Sequence, residues 1–135
     1  MAVPGVLFLC VHNAGRSQMA AGFMRRIGGT GVNVFSAGSA PGGGLNATAV
    51  AVMGEVGIDI STALPQLWTM EMLDAVDVVV TMGCGDACPF IPGKKYIDWP
   101  LTDPAGKDID VVREIRDEIQ SLVIGLLADL TANLK

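Results

Sequence analysis

The sequence predicts an α/β fold: one domain of residues 1–135 in which a four-stranded parallel sheet carries helices on both faces. Three observations support this prediction. Short apolar runs alternate with segments of helical periodicity, as in folds built from right-handed strand–helix–strand crossovers. Residues 78–80 are apolar without alternation, which is typical of a parallel strand buried on both faces. Half of the residues are apolar, which is enough for one packed core.

The first strand is predicted over residues 6–9 and stops at Cys10. After a loop, apolar residues recur every three or four positions and predict a helix over residues 18–27. Glycines at 28–31 end that helix, and residues 32–36 alternate like a second strand.

The rest of the chain continues the alternation of helices and strands. We predict a small-residue loop over residues 37–44, a helix over 46–57 and a short helix over 69–75. After these we predict a buried strand over 76–82, a weaker strand over 95–97 and a long amphipathic helix over 110–134. Asp108 or Asp110 is expected to cap the last helix.

Charge and hydropathy exclude several classes of function. The formal charge of -5 argues against a nucleic-acid or membrane-surface partner, because such partners require clustered Lys or Arg. We find no apolar run of membrane-spanning length and no signal-peptide pattern, so we expect a cytoplasmic protein. Since no exposed apolar stripe is evident, we expect a monomer. Three cysteines are an odd number, which favours reactive thiols in a reducing compartment over a disulfide framework.

The strongest motif is the sequence CVHNAGRS at residues 10–17, between the first strand and the first helix. Successive backbone N–H groups at a helix start form a concave anion site. Here they would belong to Val11, His12, Asn13, Ala14 and Gly15. Arg16 adds a planar donor that matches two oxygens of a tetrahedral anion. The same donors and the Ser17 hydroxyl would stabilise Cys10 as a thiolate, so we predict that Cys10 attacks the central atom of a phosphate-like anion.

Other interpretations of this loop remain open. Cys10 would be a small buried hydrophobe if the loop bound nothing. His12 is the only histidine and suggests a general base, although a loop histidine commonly just packs or is solvated. Asn13 is expected to brace the loop through its side-chain amide.

Asp103, in the sequence TDPAG before the last helix, is a second candidate. Pro104 would fix the turn, and the Asp103 carboxyl would protonate a leaving oxygen or handle the thiol proton. An ordinary Asp-Pro turn is the alternative.

Cys84 and Cys88 directly follow the buried strand and form the third candidate. On a helix their spacing would place the Cα atoms about 6 Å apart, within disulfide range. Gly83 and Gly85 would let the segment move, as a thiol relay to Cys10 requires. A zinc site would lack ligands, so we predict no metal; two inert loop cysteines are the other alternative.

Four segments carry a resemblance to a known family: the first loop with its SQM continuation, the SAG at residues 36–38, the cysteine pair and the DPAGK at residues 103–107. With these segments, the chain resembles the arsenate reductases built on the low-molecular-weight tyrosine phosphatase fold. The resemblance implies that Cys10 attacks arsenate, that Cys84 then attacks Cys10 to release arsenite, and that Cys88 takes over the disulfide. It implies no bound cofactor but an external thiol reductant, either thioredoxin or mycothiol with mycoredoxin.

Two rival functions remain. A phosphatase acting on phosphotyrosine or small phosphate esters needs only Cys10, Arg16 and Asp103. Phosphatases of this fold usually follow Asp-Pro with an aromatic residue, where this chain has Ala105 and Gly106, and they have no use for the cysteine pair. A non-catalytic oxyanion sensor would need no nucleophile at all.

Overall fold

The computed structural model describes residues 3–83 and 92–132 of the chain. Its elements in chain order are β1 (Gly5–Cys10), α1 (Arg16–Gly28), a short 3-10 helix (Gly29–Gly31), β2 (Asn33–Gly38), α2 (Ala47–Glu55), α3 (Met70–Ala75), β3 (Val78–Thr81), β4 (Lys95–Asp98) and α4 (Ile109–Ala132). All strand pairs are parallel, and the sheet order is β2-β1-β3-β4. The predicted four-stranded parallel sheet is therefore confirmed.

Strand β1 is buried on both faces and divides the core into two parts. Val6 and Phe8 pack on one face with apolar residues of α1, α2 and α4. Leu7 and Leu9 pack on the other face with Leu73 of α3. Helices therefore lie on both faces, as predicted, and the larger part of the core lies beneath α1, α2 and α4.

The position of β1 defines where a ligand is expected to bind. The chain goes from β1 to β2 on one side of it and later returns to β3 on the other side. In open parallel sheets, ligands bind beyond the carboxyl ends of the strands at such a switch point. Cys10 is the last residue of β1 and pairs with Gly38, the last residue of β2.

Element boundaries differ from the predicted ones by a few residues. Helix α1 starts earlier, at Arg16, because Gly15 occupies the N-cap position. Strand β3 is shorter than predicted, because Val76 still bonds back to the Leu73 carbonyl at the end of α3. Helix α2 begins one residue later and ends two residues earlier than predicted. Asn46 is its N-cap, and its Oδ1 accepts a hydrogen bond from the Ala49 N–H at 2.9 Å.

An ion-pair network joins α2 to α4. Glu55 accepts hydrogen bonds from Arg113 at 2.7 Å and from Arg116 at 2.7 Å. The bonds from Arg113, and secondarily from Arg116, lower the pKa of Glu55 to about 2, against an opposing effect of desolvation. Because the Glu55 carboxylate is open to solvent, this network adds little to stability. It connects the end of α2 to α4. Within residues 3–83 and 92–132, none of the helices combines the length and hydropathy of a bilayer span.

Candidate active site

The loop between β1 and α1 is anchored along its outer side by the segment 39–46. Four carbonyl oxygens of the loop accept hydrogen bonds from N–H groups of this segment: Cys10 from Ser39 at 3.2 Å, Val11 from Ala40 at 2.8 Å, His12 from Gly42 at 3.0 Å and Ala14 from Asn46 at 2.8 Å. All described peptide bonds are trans, so each following N–H points the opposite way from the carbonyl before it. The loop amides therefore turn to the inside of the arc, where the Asn13 N–H lies 3.3 Å from Cys10 Sγ.

Gly38 makes this close anchoring possible. A Cβ atom on Gly38 would lie 2.5 Å from the Val11 carbonyl oxygen and 3.0 Å from the Asn13 nitrogen, too close to a backbone that is itself fixed. A glycine at the end of β2 thus lets the loop close over the sheet. This role of Gly38 could not be predicted, since nothing near it in sequence reveals the loop it touches.

Cys10 is buried, forms no disulfide within the described residues and is surrounded by hydrogen-bonding groups. Its Sγ lies 2.8 Å from Ser17 Oγ, and Ser17 Oγ in turn accepts a bond from Asn13 Nδ2 at 2.7 Å. Ser17 is fully buried on the first turn of α1. The Ser17 hydroxyl and the Asn13 backbone amide therefore both lie within hydrogen-bond distance of the sulfur.

Arg16 lies buried across the mouth of the loop. Its Nη1 donates to the Leu101 carbonyl at 3.3 Å, and its Nη2 lies 3.7 Å from Asp103 Oδ2. A guanidinium has five N–H donors, so several remain for an anion. Gly83, with φ of +80°, packs so tightly against this group that a Cβ there would lie 2.5 Å from Nη1. The chain thus reaches the guanidinium at Gly83, one residue before Cys84.

Asp103 forms the predicted turn, and its other carboxylate oxygen faces Arg16. Its Oδ1 accepts the Ala105 N–H at 3.0 Å, which forms the turn, while Oδ2 faces Arg16. The side chain is 47 % exposed. Its pairing with Arg16 at 3.7 Å is loose and contributes little to stability.

These groups open into a small cleft of about 200 Å³. The described residues that line it are Cys10, His12, Ala14, Gly15, Arg16, Gly42, Gly44, Leu45, Asn46, Asp103, Pro104 and Ala105. This set contains no Phe, Tyr or Trp and lies around one cysteine, which suits a small tetrahedral anion. A larger groove of about 670 Å³ runs beside α1, but the described residues that line it include no cysteine or histidine.

The structure brings the predicted residues of the first loop, Arg16, Ser17 and Asp103 to one place. Cys84 and Cys88 lie outside the described residues. Within residues 3–83 and 92–132, no group of three or more His, Cys, Asp or Glu side chains is arranged to hold a metal ion. Two contacts of Asn13 were not predicted: one from the buried side-chain amide of Gln18 and one from the backbone N–H of Gln66. A polar residue on the apolar face of α1 was the only signal for Gln18.

Comparison with known proteins identifies the family. Residues 5–135 match the low molecular weight phosphotyrosine protein phosphatase family. The chain belongs to this family. Arsenate reductase 1 of Staphylococcus epidermidis is 43% identical over 122 residues, which cover 87% of this chain and 91% of that protein.

Solved structures agree with this assignment. A thioredoxin-dependent arsenate reductase of Corynebacterium glutamicum is 41% identical with a TM-score of 0.85; the match covers 97% of this chain but only 63% of that one. The arginine phosphatase YwlE of Geobacillus stearothermophilus is 27% identical with a TM-score of 0.83, covering 96% of this chain and 94% of that one. The predicted resemblance to arsenate reductases of this fold is confirmed.

Proposed function

We propose that this protein reduces arsenate to arsenite. The observation that carries the proposal is the Cys10 sulfur, which lies 2.8 Å from the Ser17 hydroxyl and 3.3 Å from the Asn13 N–H in a small cleft that Arg16 also lines. Relatives at about 40% identity that are named arsenate reductases supply the choice of anion. The experiment that tests it is direct measurement of arsenite formed from arsenate by the purified chain with a thiol reductant.

In the first step, the Cys10 thiolate attacks arsenic while Arg16 and the inward amides hold the oxygens. A sulfur–arsenic bond forms, and one oxygen leaves as water after taking up protons. Asp103, at the rim of the cleft and partly open to solvent, is placed to supply a proton. Arsenic remains at its higher oxidation state in this adduct.

In the second step, the Cys84 thiolate attacks Cys10 Sγ. The sulfur–arsenic bond breaks, its electron pair stays on arsenic, and arsenite leaves. Two thiolates have then lost two electrons and share a disulfide. Contact of Gly83 with Arg16 supports this step, because it anchors the chain at the active site immediately before Cys84.

In the third step, Cys88 attacks Cys84 and frees Cys10 for another cycle. The new disulfide between Cys84 and Cys88 is then reduced by an external dithiol. We propose thioredoxin as that reductant, since a relative at 41% identity is thioredoxin-dependent. Assays with thioredoxin and with mycothiol plus mycoredoxin, run side by side, separate the two: faster turnover with mycothiol would contradict this assignment.

Replacing Cys84 by serine is expected to stop turnover after the first attack. Without this thiolate nothing displaces arsenic from Cys10, so arsenite output should fall below one equivalent per enzyme. Mass spectrometry of the rapidly quenched protein checks whether an adduct remains on Cys10. The matched control is Cys88→Ser, which should release one arsenite per enzyme and keep a disulfide between Cys10 and Cys84. Steady cycling of Cys84→Ser with thioredoxin would contradict the relay.

Replacing Asp103 by asparagine is expected to lower kcat by roughly 10²-fold, the usual contribution of a positioned general acid. Asparagine can still accept the Ala105 N–H, so the turn should survive and the melting temperature should change little. Steady-state kinetics with arsenate across a pH range provide the measurement. An unchanged kcat would reduce Asp103 to a turn residue.

A phosphatase activity is the second candidate, because the arginine phosphatase of this fold aligns over nearly the whole chain. Cys10, Arg16 and Asp103 suffice for that chemistry. The cleft carries Ala105 where an aromatic wall would support a phenyl ring. Phosphate release from aryl and arginine phosphates that exceeded arsenate reduction would favour this alternative.

A further inference from the structure

We propose that Gln18 is a positioning residue, which fixes the direction of the hydrogen bonds that stabilise Cys10 as a thiolate. Gln18 does not contact the sulfur; it acts through Asn13 and Ser17. The proposal assumes that Cys10 is the nucleophile of the proposed function. Its test measures the thiol itself, however, so it is decided separately from whether arsenate is the substrate.

The chain of contacts starts at a group that can only donate. The backbone N–H of Gln66 lies 3.0 Å from Asn13 Oδ1, which must therefore be the acceptor atom of the Asn13 amide. Gln18 Nε2 lies 3.1 Å from the same Oδ1 and 3.1 Å from the Asn13 carbonyl oxygen, so it donates to both. With its oxygen held in this way, the Asn13 amide must present Nδ2 to Ser17.

The orientation of the Asn13 amide in turn affects the hydrogen bonds of Ser17. Asn13 Nδ2 donates to Ser17 Oγ at 2.7 Å, and a hydroxyl has one hydrogen, which this contact leaves unused. Among the described residues, the other side-chain partner of Ser17 Oγ is Cys10 Sγ, at 2.8 Å. A thiolate has no hydrogen to donate, so the Ser17 hydroxyl donates to the sulfur when Cys10 is ionised, and a hydrogen bond to the charged form favours ionisation.

Gln18 matters to this chain of donors because Asn13 holds an uncommon backbone conformation. Asn13 has φ of +52°, which is unfavourable for a residue with a side chain. Among the described residues, Gln18 is the donor to the Asn13 carbonyl, and it also bonds the Asn13 side chain. Asn13 and Ser17 are fully buried and Gln18 is 2% exposed, so water cannot readily replace the lost donor.

The test measures alkylation of Cys10 by iodoacetamide as a function of pH. Cys84→Ser and Cys88→Ser are introduced first, so that Cys10 is the single reactive thiol. Adding Gln18→Met removes the donor but keeps the length of the side chain. We expect the midpoint of the alkylation profile to rise by about one pH unit, a roughly tenfold loss of thiolate below the midpoint. Met24→Leu, a buried change on the same helix but outside the network, is the matched control.

Gln18→Glu is the second variant, since it preserves the shape of the side chain and, when ionised, offers no donor. It should shift the alkylation midpoint in the same direction, and the pH profile of kcat/KM for arsenate should move with it when Gln18→Glu is made in the chain that keeps Cys84 and Cys88. If both variants kept the midpoint of the Met24→Leu control, or if kcat fell without any change in midpoint, Gln18 would be a packing residue and the proposal would be wrong. Should Gln18→Met fail to fold, as judged by circular dichroism, the result for Gln18→Glu decides.

Discussion

Arsenite production is expected to fall by at least ~10³-fold when Cys10 is replaced by serine, as in other enzymes that lose their nucleophile. A serine hydroxyl in the same place stays protonated at neutral pH, so the bond to arsenic does not form. No sulfur remains for Cys84 to attack. The attack on arsenate and the reduction step that follows it are therefore both lost with one atom.

Binding of the anion should survive this change. The inward amides depend on hydrogen bonds between the loop carbonyls and segment 39–46, and Arg16 depends on Leu101, so neither involves the cysteine sulfur. Calorimetric titration with phosphate or arsenate measures the retained affinity, and arsenite assays measure the lost turnover. If Cys10→Ser kept its biological function, the chain would be an oxyanion sensor rather than an enzyme.

The loop of residues 10–17 was predictable because its residues are adjacent in sequence. Residues 10–17 connect the end of a strand to the start of a helix, so the covalent chain itself brings Cys10, Arg16 and Ser17 around one centre. The carboxyl-end position of Cys10 followed from the strand alone. Asp103 required only the further rule that loops after parallel strands meet at one edge of the sheet.

The supports of the loop were not predictable in this way. Gln66 is 53 positions from Asn13, and its contribution is a backbone N–H that any residue except proline would supply. Gly38 reads as an ordinary loop glycine until the Val11 carbonyl is seen beside it. Such contacts depend on how β2 and the following segment pack against the loop, and no local pattern encodes that packing.

Gly83 shows how a correct residue can be given an incomplete reason. From the sequence, Gly83 was predicted to let the cysteine segment move. In the structure its missing side chain makes room for the Arg16 guanidinium, and its φ of +80° suits glycine. Gly83 therefore holds the chain against Arg16 one residue before Cys84.

Arg16→Lys is the second substitution for which we expect a large effect, a fall in kcat/KM of about 10² to 10³-fold. Lysine keeps the positive charge but is a compact point charge, without the planar pair of donors that matches two oxygens of a tetrahedral anion. It also cannot bond the Leu101 carbonyl and the anion in the same fixed geometry as the guanidinium does. Both substrate binding and stabilisation of the transition state should suffer, so KM should rise while kcat falls.

The control for this substitution is Arg25→Lys, which makes the same chemical change on the same helix. Arg25 lies at the other end of α1, where its Nη2 donates a hydrogen bond to the Val34 carbonyl at 3.4 Å. Steady-state kinetics on both variants separate the loss of a bidentate donor from any general effect on α1. If Arg16→Lys and Arg25→Lys had the same kcat/KM, charge alone would hold the anion, and the fork geometry at Arg16 would have no part in catalysis. Because Arg16 is packed between Gly83, Leu101 and Asp103, we expect the two variants to differ clearly.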